Sequence, residues 1–110
     1  MVNESPWGSD LALAAWRFVS AAVESGREIT AVFFREEGVY NAIKGGNSDP
    51  GTPCLAEAWQ ELAGKQGPRL LVCSSSWERR CEDYPNGNFE LAGLAEMMEL
   101  MLDCDRVVTF

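Results

Sequence analysis

Apolar positions along this chain alternate between helical spacing and short unbroken runs. Over residues 11–25, Ala12, Ala15, Trp16, Val19, Ala22 and Val23 recur at intervals that set them on one helical face. Ser9 or Asp10 can cap this helix, and Gly26 ends it. The run at 29–34 is β-branched and aromatic and bounded by charges, which reads as a strand buried on both faces. A polar stretch follows over 38–53, with Val39, Tyr40, Asn41 and Ala42 embedded early. Its glycine- and proline-rich part, 45–53, predicts an exposed loop.

Helical spacing returns over 55–63, where Leu55, Ala58, Trp59 and Leu62 share a face, and Gly64 or Gly67 with Pro68 stops it. Residues 69–73 form a second strand-like run, followed by a short helical piece carrying Trp77, Glu78, Arg79 and Arg80. Turn residues fill 83–88. A third long helix is expected from about 92 to 103, with Leu94, Met97, Met98, Met101 and Leu102 packing and the methionines filling irregular core gaps. Residues 106–110 read as a closing strand.

Helices alternating with apolar strands predict an α/β fold, a parallel sheet between two layers of helices. The helix at 11–25 should follow a strand, yet only Met1 and Val2 precede the loop at 3–9. A shortened first strand is expected, because losing a central strand outright would orphan the backbone groups of its neighbours.

Composition narrows the function. With 17 acidic against 9 basic residues, the net charge of -8 disfavours direct binding to a phosphate backbone. No window approaches the roughly 20 apolar residues of a membrane span, and no basic start leads into an apolar stretch. A cytoplasmic setting with reduced thiols is expected for Cys54, Cys73, Cys81 and Cys104, none of which share the two-residue spacing of zinc or thioredoxin-like sites. The chain holds no histidine, so thiol chemistry would need activation from something other than an imidazole. Isolated glycines form no phosphate-binding pattern, and neither metal nor cofactor is expected.

Cys73 is the leading candidate for chemistry. It ends the run at 69–73 and precedes Ser74, Ser75 and Ser76, which start a helix, so its sulfur would face free N–H groups at a strand's carboxyl end. A buried structural cysteine fits the same position. Cys54 and Cys104 read as small packing residues, and a disulfide between Cys73 and Cys81 needs favourable geometry across a helical turn.

Several stretches, taken in order, resemble the DsrE/TusD family of cytoplasmic sulfur-carrier proteins: 32–42, 58–62, Val72 and Cys73 with Arg79 and Arg80, 89–94 and 104–108. The chain is shorter than usual between Arg80 and Phe89, and Cys81 stands where glycine is more usual. The resemblance implies one DsrE-like domain over 1–110 with flavodoxin-like topology. It also implies that Cys73 carries sulfur as a persulfide. Ser74, Ser75 and Ser76, with Arg79 and Arg80, would stabilise that sulfur, although the arginines equally suit ion pairs on an acidic surface. The implied partners are related DsrF/TusC-like and DsrH/TusB-like subunits, a TusA-like donor and a TusE/DsrC-like acceptor. The implied pathway is 2-thiolation of the tRNA wobble uridine. Dissimilatory sulfur oxidation and a non-catalytic subunit are the alternatives.

Overall fold

In the computed structural model, which describes residues 1–110 except 8–9, 44–54, 65–66 and 86, three strands form a parallel sheet. They are β1 (Ala31–Phe34), β2 (Arg69–Cys73) and β3 (Phe89–Ala92), in that order across the sheet. The register sets Phe34 against Val72 and Cys73 against Ala92. Parallel strands require crossovers, here α2 (Leu55–Gly64) between β1 and β2, and α3 (Ser74–Arg80) between β2 and β3.

The pleat divides the apolar residues of each strand between two faces. Val32, Phe34, Leu70, Val72 and Phe89 pack with Ala12, Ala15 and Val19 of α1 (Leu11–Glu24) and with Leu55, Trp59 and Leu62 of α2. Phe34 is the hinge of this core, its ring edge-on to Trp59 at 5.2 Å and to Phe89 at 5.5 Å. The other face is thinner: Phe33, Leu71, Cys73 and Ala92, covered by Met97 and Leu100 of α4 (Leu94–Asp103). Helices therefore lie on both faces, as the alternation of runs predicts.

Among the described residues before α1 there is one isolated bridge, at Val2, in place of the expected shortened strand. Val2 bridges Phe34 in parallel, accepting the Arg35 N–H at 3.0 Å and donating to the Phe33 carbonyl at 2.8 Å. On its other side Asn3 donates to the Phe110 carbonyl at 3.0 Å, and Phe110 donates to the Met1 carbonyl at 2.7 Å. The end of the chain thus lies along its beginning.

Three further expectations change. The third strand of the ladder is β3, not residues 106–110, whose Val107 and Val108 are exposed. The Met1 ammonium donates to the Val108 carbonyl at 2.6 Å and the Phe110 ring lies 5.6 Å from Phe18, but Val107 and Val108 stay exposed, so β-branched composition had no covering layer to act against. The polar stretch after β1 begins as a buried 3₁₀ segment, Glu36–Ala42. Asn41 holds it, donating through Nδ2 to the Gly38 carbonyl at 2.8 Å and to the Glu4 carbonyl at 3.1 Å. The predicted loop at 45–53 lies outside the described residues. The third correction concerns α4, which buries no residue fully: Met98 is 62% exposed and Leu102 86%. Met97 alone among its methionines packs against the core, so the gap-filling role does not extend to Met98 and Met101.

Candidate functional site

The carboxyl ends of the strands converge on Cys73. It is the last residue of β2 and also the N-cap of α3, with φ −59° and ψ 117°, so one residue makes the turn from strand to helix. The expected strand-end, helix-start position is the observed one. Cys73 faces the thinner side of the sheet, is 3% exposed and forms no disulfide.

The register places Ala92 beside Cys73 at this level. One step earlier, Phe34 pairs with Val2 on one side and with Val72 on the other. Arg35 follows Phe34, the last residue of β1. Arg35 is extended, at φ −124° and ψ 163°, so the alternation continues through it. Ala31 and Phe33 belong to the face of Leu71 and Cys73, and Arg35 shares that face.

The three serines have different fates. Ser76 is fully buried, and its Oγ accepts the backbone N–H of Glu36 at 3.0 Å. Ser74 is half-buried and Ser75 exposed. Both arginines fold back along α3: Arg79 Nε donates to the Ser75 carbonyl and Arg80 to the Ser76 carbonyl, each at 3.3 Å. Both also meet the Glu36 carboxylate, Arg80 at 3.1 Å and Arg79 at 3.6 Å. Their positive charge is thus shared with an acid.

Sequence reasoning missed Glu36, whose carboxylate meets both arginines and whose N–H meets Ser76. Glu36 adopts φ 49°, a left-handed backbone seldom taken by a side chain of this size, immediately after the end of β1. Its sequence signal is its place two residues after the apolar run that ends at Phe34.

Cys81 is a different kind of thiol. It packs against the larger core on the opposite side of the sheet from Cys73, and α3 separates the two. Burial pushes its thiol above the usual cysteine range; Arg80 opposes this and Asp83 adds to it. Cys104 is a half-buried helix C-cap, and Cys54 lies outside the described residues. Among the described residues no three metal-ligating side chains cluster, and no helix is long and apolar enough to cross a membrane.

Known proteins are similar to this chain in sequence and in fold. A sulfurtransferase TusD of Cronobacter sakazakii is 33% identical over 123 aligned positions, covering 100% of this chain and 96% of that protein. A TusD homolog of Vibrio vulnificus is 36% identical over 123 positions, covering 100% of this chain and 94% of its own. The fold is similar to the crystal structure of the ychN protein from E. coli, with TM-score 0.85 at 22% identity, covering 99% of this chain and 95% of that one. The sequence profile of the DsrE/DsrF-like family matches residues 1–110, and the chain belongs to that family.

Proposed function

We propose that this protein is a sulfurtransferase subunit in which Cys73 accepts sulfane sulfur from one protein and passes it to another. The observation that carries the reading is the place of Cys73, at the carboxyl end of the middle strand of the ladder and the first turn of α3. Open α/β sheets bind ligands at that edge, and the thiolate is the form of cysteine that attacks sulfur.

The chemistry is thiol exchange in two balanced steps. The Cys73 thiolate attacks the outer sulfur of a donor persulfide, forming an S–S bond as the donor's own S–S bond breaks and its electron pair leaves as a thiolate. Cys73 then carries one extra sulfur. An acceptor thiolate attacks that outer sulfur, and Cys73 leaves as a thiolate. No oxidant or reductant is consumed.

Unpaired N–H groups of the first turn, at Ser74, Ser75 and Ser76, support the anionic sulfur in this reading. The charge of Arg79 and Arg80 reaches it only net of Glu36. With Cys73 almost wholly buried, the partner protein must open or enter the edge of the sheet to reach the sulfur.

Relatives named TusD favour a relay feeding tRNA wobble-uridine thiolation over the sulfur-oxidation branch. The net charge of -8 suits a chain that hands sulfur to proteins and leaves tRNA to a downstream enzyme. The partners in this reading are related DsrF/TusC-like and DsrH/TusB-like subunits, a TusA-like donor and a TusE/DsrC-like acceptor, in the cytoplasm.

Mass spectrometry after incubation with a protein persulfide donor tests the reading. Wild type should gain one sulfur atom on the Cys73 peptide, and Cys73→Ser should gain none. Equal uptake by both proteins, or uptake at Cys81 or Cys104 alone, would overturn it.

A further inference from the structure

The two faces of the sheet are covered unequally. α1 and α2 lie over one face, whereas α4 reaches the other with two partly buried side chains, Met97 and Leu100. The opposite side of α4 is apolar as well. Leu94, Met98, Met101 and Leu102 are all exposed, and their spacing of i, i+4, i+7 and i+8 sets them in one stripe along the helix. Four such side chains make an apolar patch on the order of a few hundred Å², the size at which an exposed patch on a folded chain commonly serves an interaction. The stripe begins at Leu94, two residues after Ala92, the register partner of Cys73. Its near end therefore lies at the carboxyl edge of the sheet.

The border of the stripe is acidic. Glu99 and Asp103 stand one helical turn apart along one side of it. Glu96 has Arg69 as its partner, but Glu99 and Asp103 make no ion pair among the described residues. α4 holds no lysine or arginine, and its last turn, where the helix dipole favours a cation, ends on Asp103. Over 94–110 the acids Glu96, Glu99, Asp103 and Asp105 stand against a single base, Arg106.

These charges decide between occupants. In a symmetric contact with a second copy the acidic border would meet itself, between chains that each carry a net charge of -8. The complementary surface is apolar along its middle and basic at its border.

We propose that the outer face of α4 is a docking surface for a protein partner that presents an amphipathic helix, its apolar face bordered by lysine and arginine. The partner's apolar side chains cover the stripe, and its cations offset Glu99, Asp103 and the negative end of the helix. Attraction of this kind speeds encounter and turns acidic surfaces away. The docking surface stands whether or not Cys73 carries sulfur; on the carrier reading given above, it seats a partner at the edge of the sheet where the sulfur lies.

Nuclear magnetic resonance of the isotope-labelled full chain, titrated with synthetic peptides, tests this. The probe is an amphipathic helix with leucine on one face and lysine on the rest. A scrambled peptide of the same composition and a version with glutamate in place of lysine are the controls. Amide signals of Leu94–Asp103 should shift with the probe. The glutamate version should bind about tenfold more weakly or worse at low salt, and the gap should narrow as salt rises. Met98→Lys and Leu102→Lys alter exposed residues, so together they should leave the urea midpoint unchanged while weakening the probe about tenfold. Shifts centred away from α4, equal binding of either control peptide, or undiminished binding to the double variant would overturn the proposal.

Sedimentation velocity of the chain without peptide addresses the other occupant. The association state should be the same in wild type and in the double variant. Self-association that the two substitutions abolish would seat a second copy on α4 and overturn the proposal. The readings separate: probe binding at α4 by a protein that takes up no sulfur refutes the carrier function alone, and sulfur uptake without probe binding refutes the docking surface alone.

Discussion

Ser76 Oγ accepts the backbone N–H of Glu36 at 3.0 Å, which ties the end of β1 to the first turn of α3 across 40 residues of sequence. Both ends of the bond lie near Cys73, which stands three residues before Ser76 and directly after Val72, the partner of Phe34. Ser76→Ala would leave that N–H without its partner in a partly buried setting. The expected cost is about 1–3 kcal/mol, read as a lower urea midpoint with an unchanged slope. A change under about 0.5 kcal/mol would mean that the bond is replaced by water or contributes nothing.

Gly38 sits where the 3₁₀ segment touches the start of the chain. A Cβ built there would fall 2.0 Å from the Val2 carbonyl oxygen, which is itself bonded to the Arg35 N–H. Neither neighbour can move without breaking the pairing of residues 1–3. Gly38→Ala is expected to cost about 1–3 kcal/mol by overpacking. Gly64→Ala is the control: a Cβ there meets nothing within 4 Å, and the replacement should hold or raise stability by up to about 1 kcal/mol. Equal effects of the two substitutions would refute the steric account.

Glu36 has two opposing features, a left-handed backbone at φ 49° and a carboxylate shared by two arginines. The carboxylate is 45% exposed, so its ion pairs contribute at most about 1 kcal/mol. The backbone conformation costs a non-glycine residue about 1–2 kcal/mol. Glu36→Gly and Glu36→Ala lose the same ion pairs, but only glycine relieves the backbone. The glycine variant should therefore be the more stable of the two by about 1 kcal/mol in urea unfolding. If alanine is equal or better, the conformation is not strained.

How much of this site could be read from the sequence depends on how local its determinants are. Cys73 was legible because strand end and helix start are both written in adjacent residues: four apolar or buried positions from Leu70, then serines. Helices α1 and α2 were legible through their spacing and through Gly26, whose φ of 81° ends α1 as expected. Arg79 and Arg80 were seen, but their shared acid was not, since Glu36 lies over 40 positions away and meets them only through the sheet. β3 escaped because four residues with one glutamate are too short to show a period, while 106–110 had the stronger composition and the weaker tertiary support. The exposed face of α4 was invisible for a related reason: helical spacing of apolar residues does not say whether a partner layer exists to bury them.

Cys81 predicts a pH dependence of stability that belongs to one residue. Burial is the main cause that raises its thiol above the ordinary value of 9.0, Arg80 lowers it and Asp83 raises it further. A raised thiol means that the unfolded chain gives up the proton first. The stabilisation it contributes is therefore fully present below the unfolded value and is lost as pH rises through the folded one. In Cys81→Ala this contribution is absent at every pH, while all other titrating groups are retained. Urea midpoints of wild type should fall more steeply than those of Cys81→Ala between about pH 8 and 10, where cysteines titrate. Parallel curves would show that the Cys81 thiol is not held in its neutral form by the fold. A wild-type curve that falls less steeply would place the thiolate, rather than the thiol, as the form the core prefers, and with it a second reactive sulfur on the far side of the sheet from Cys73.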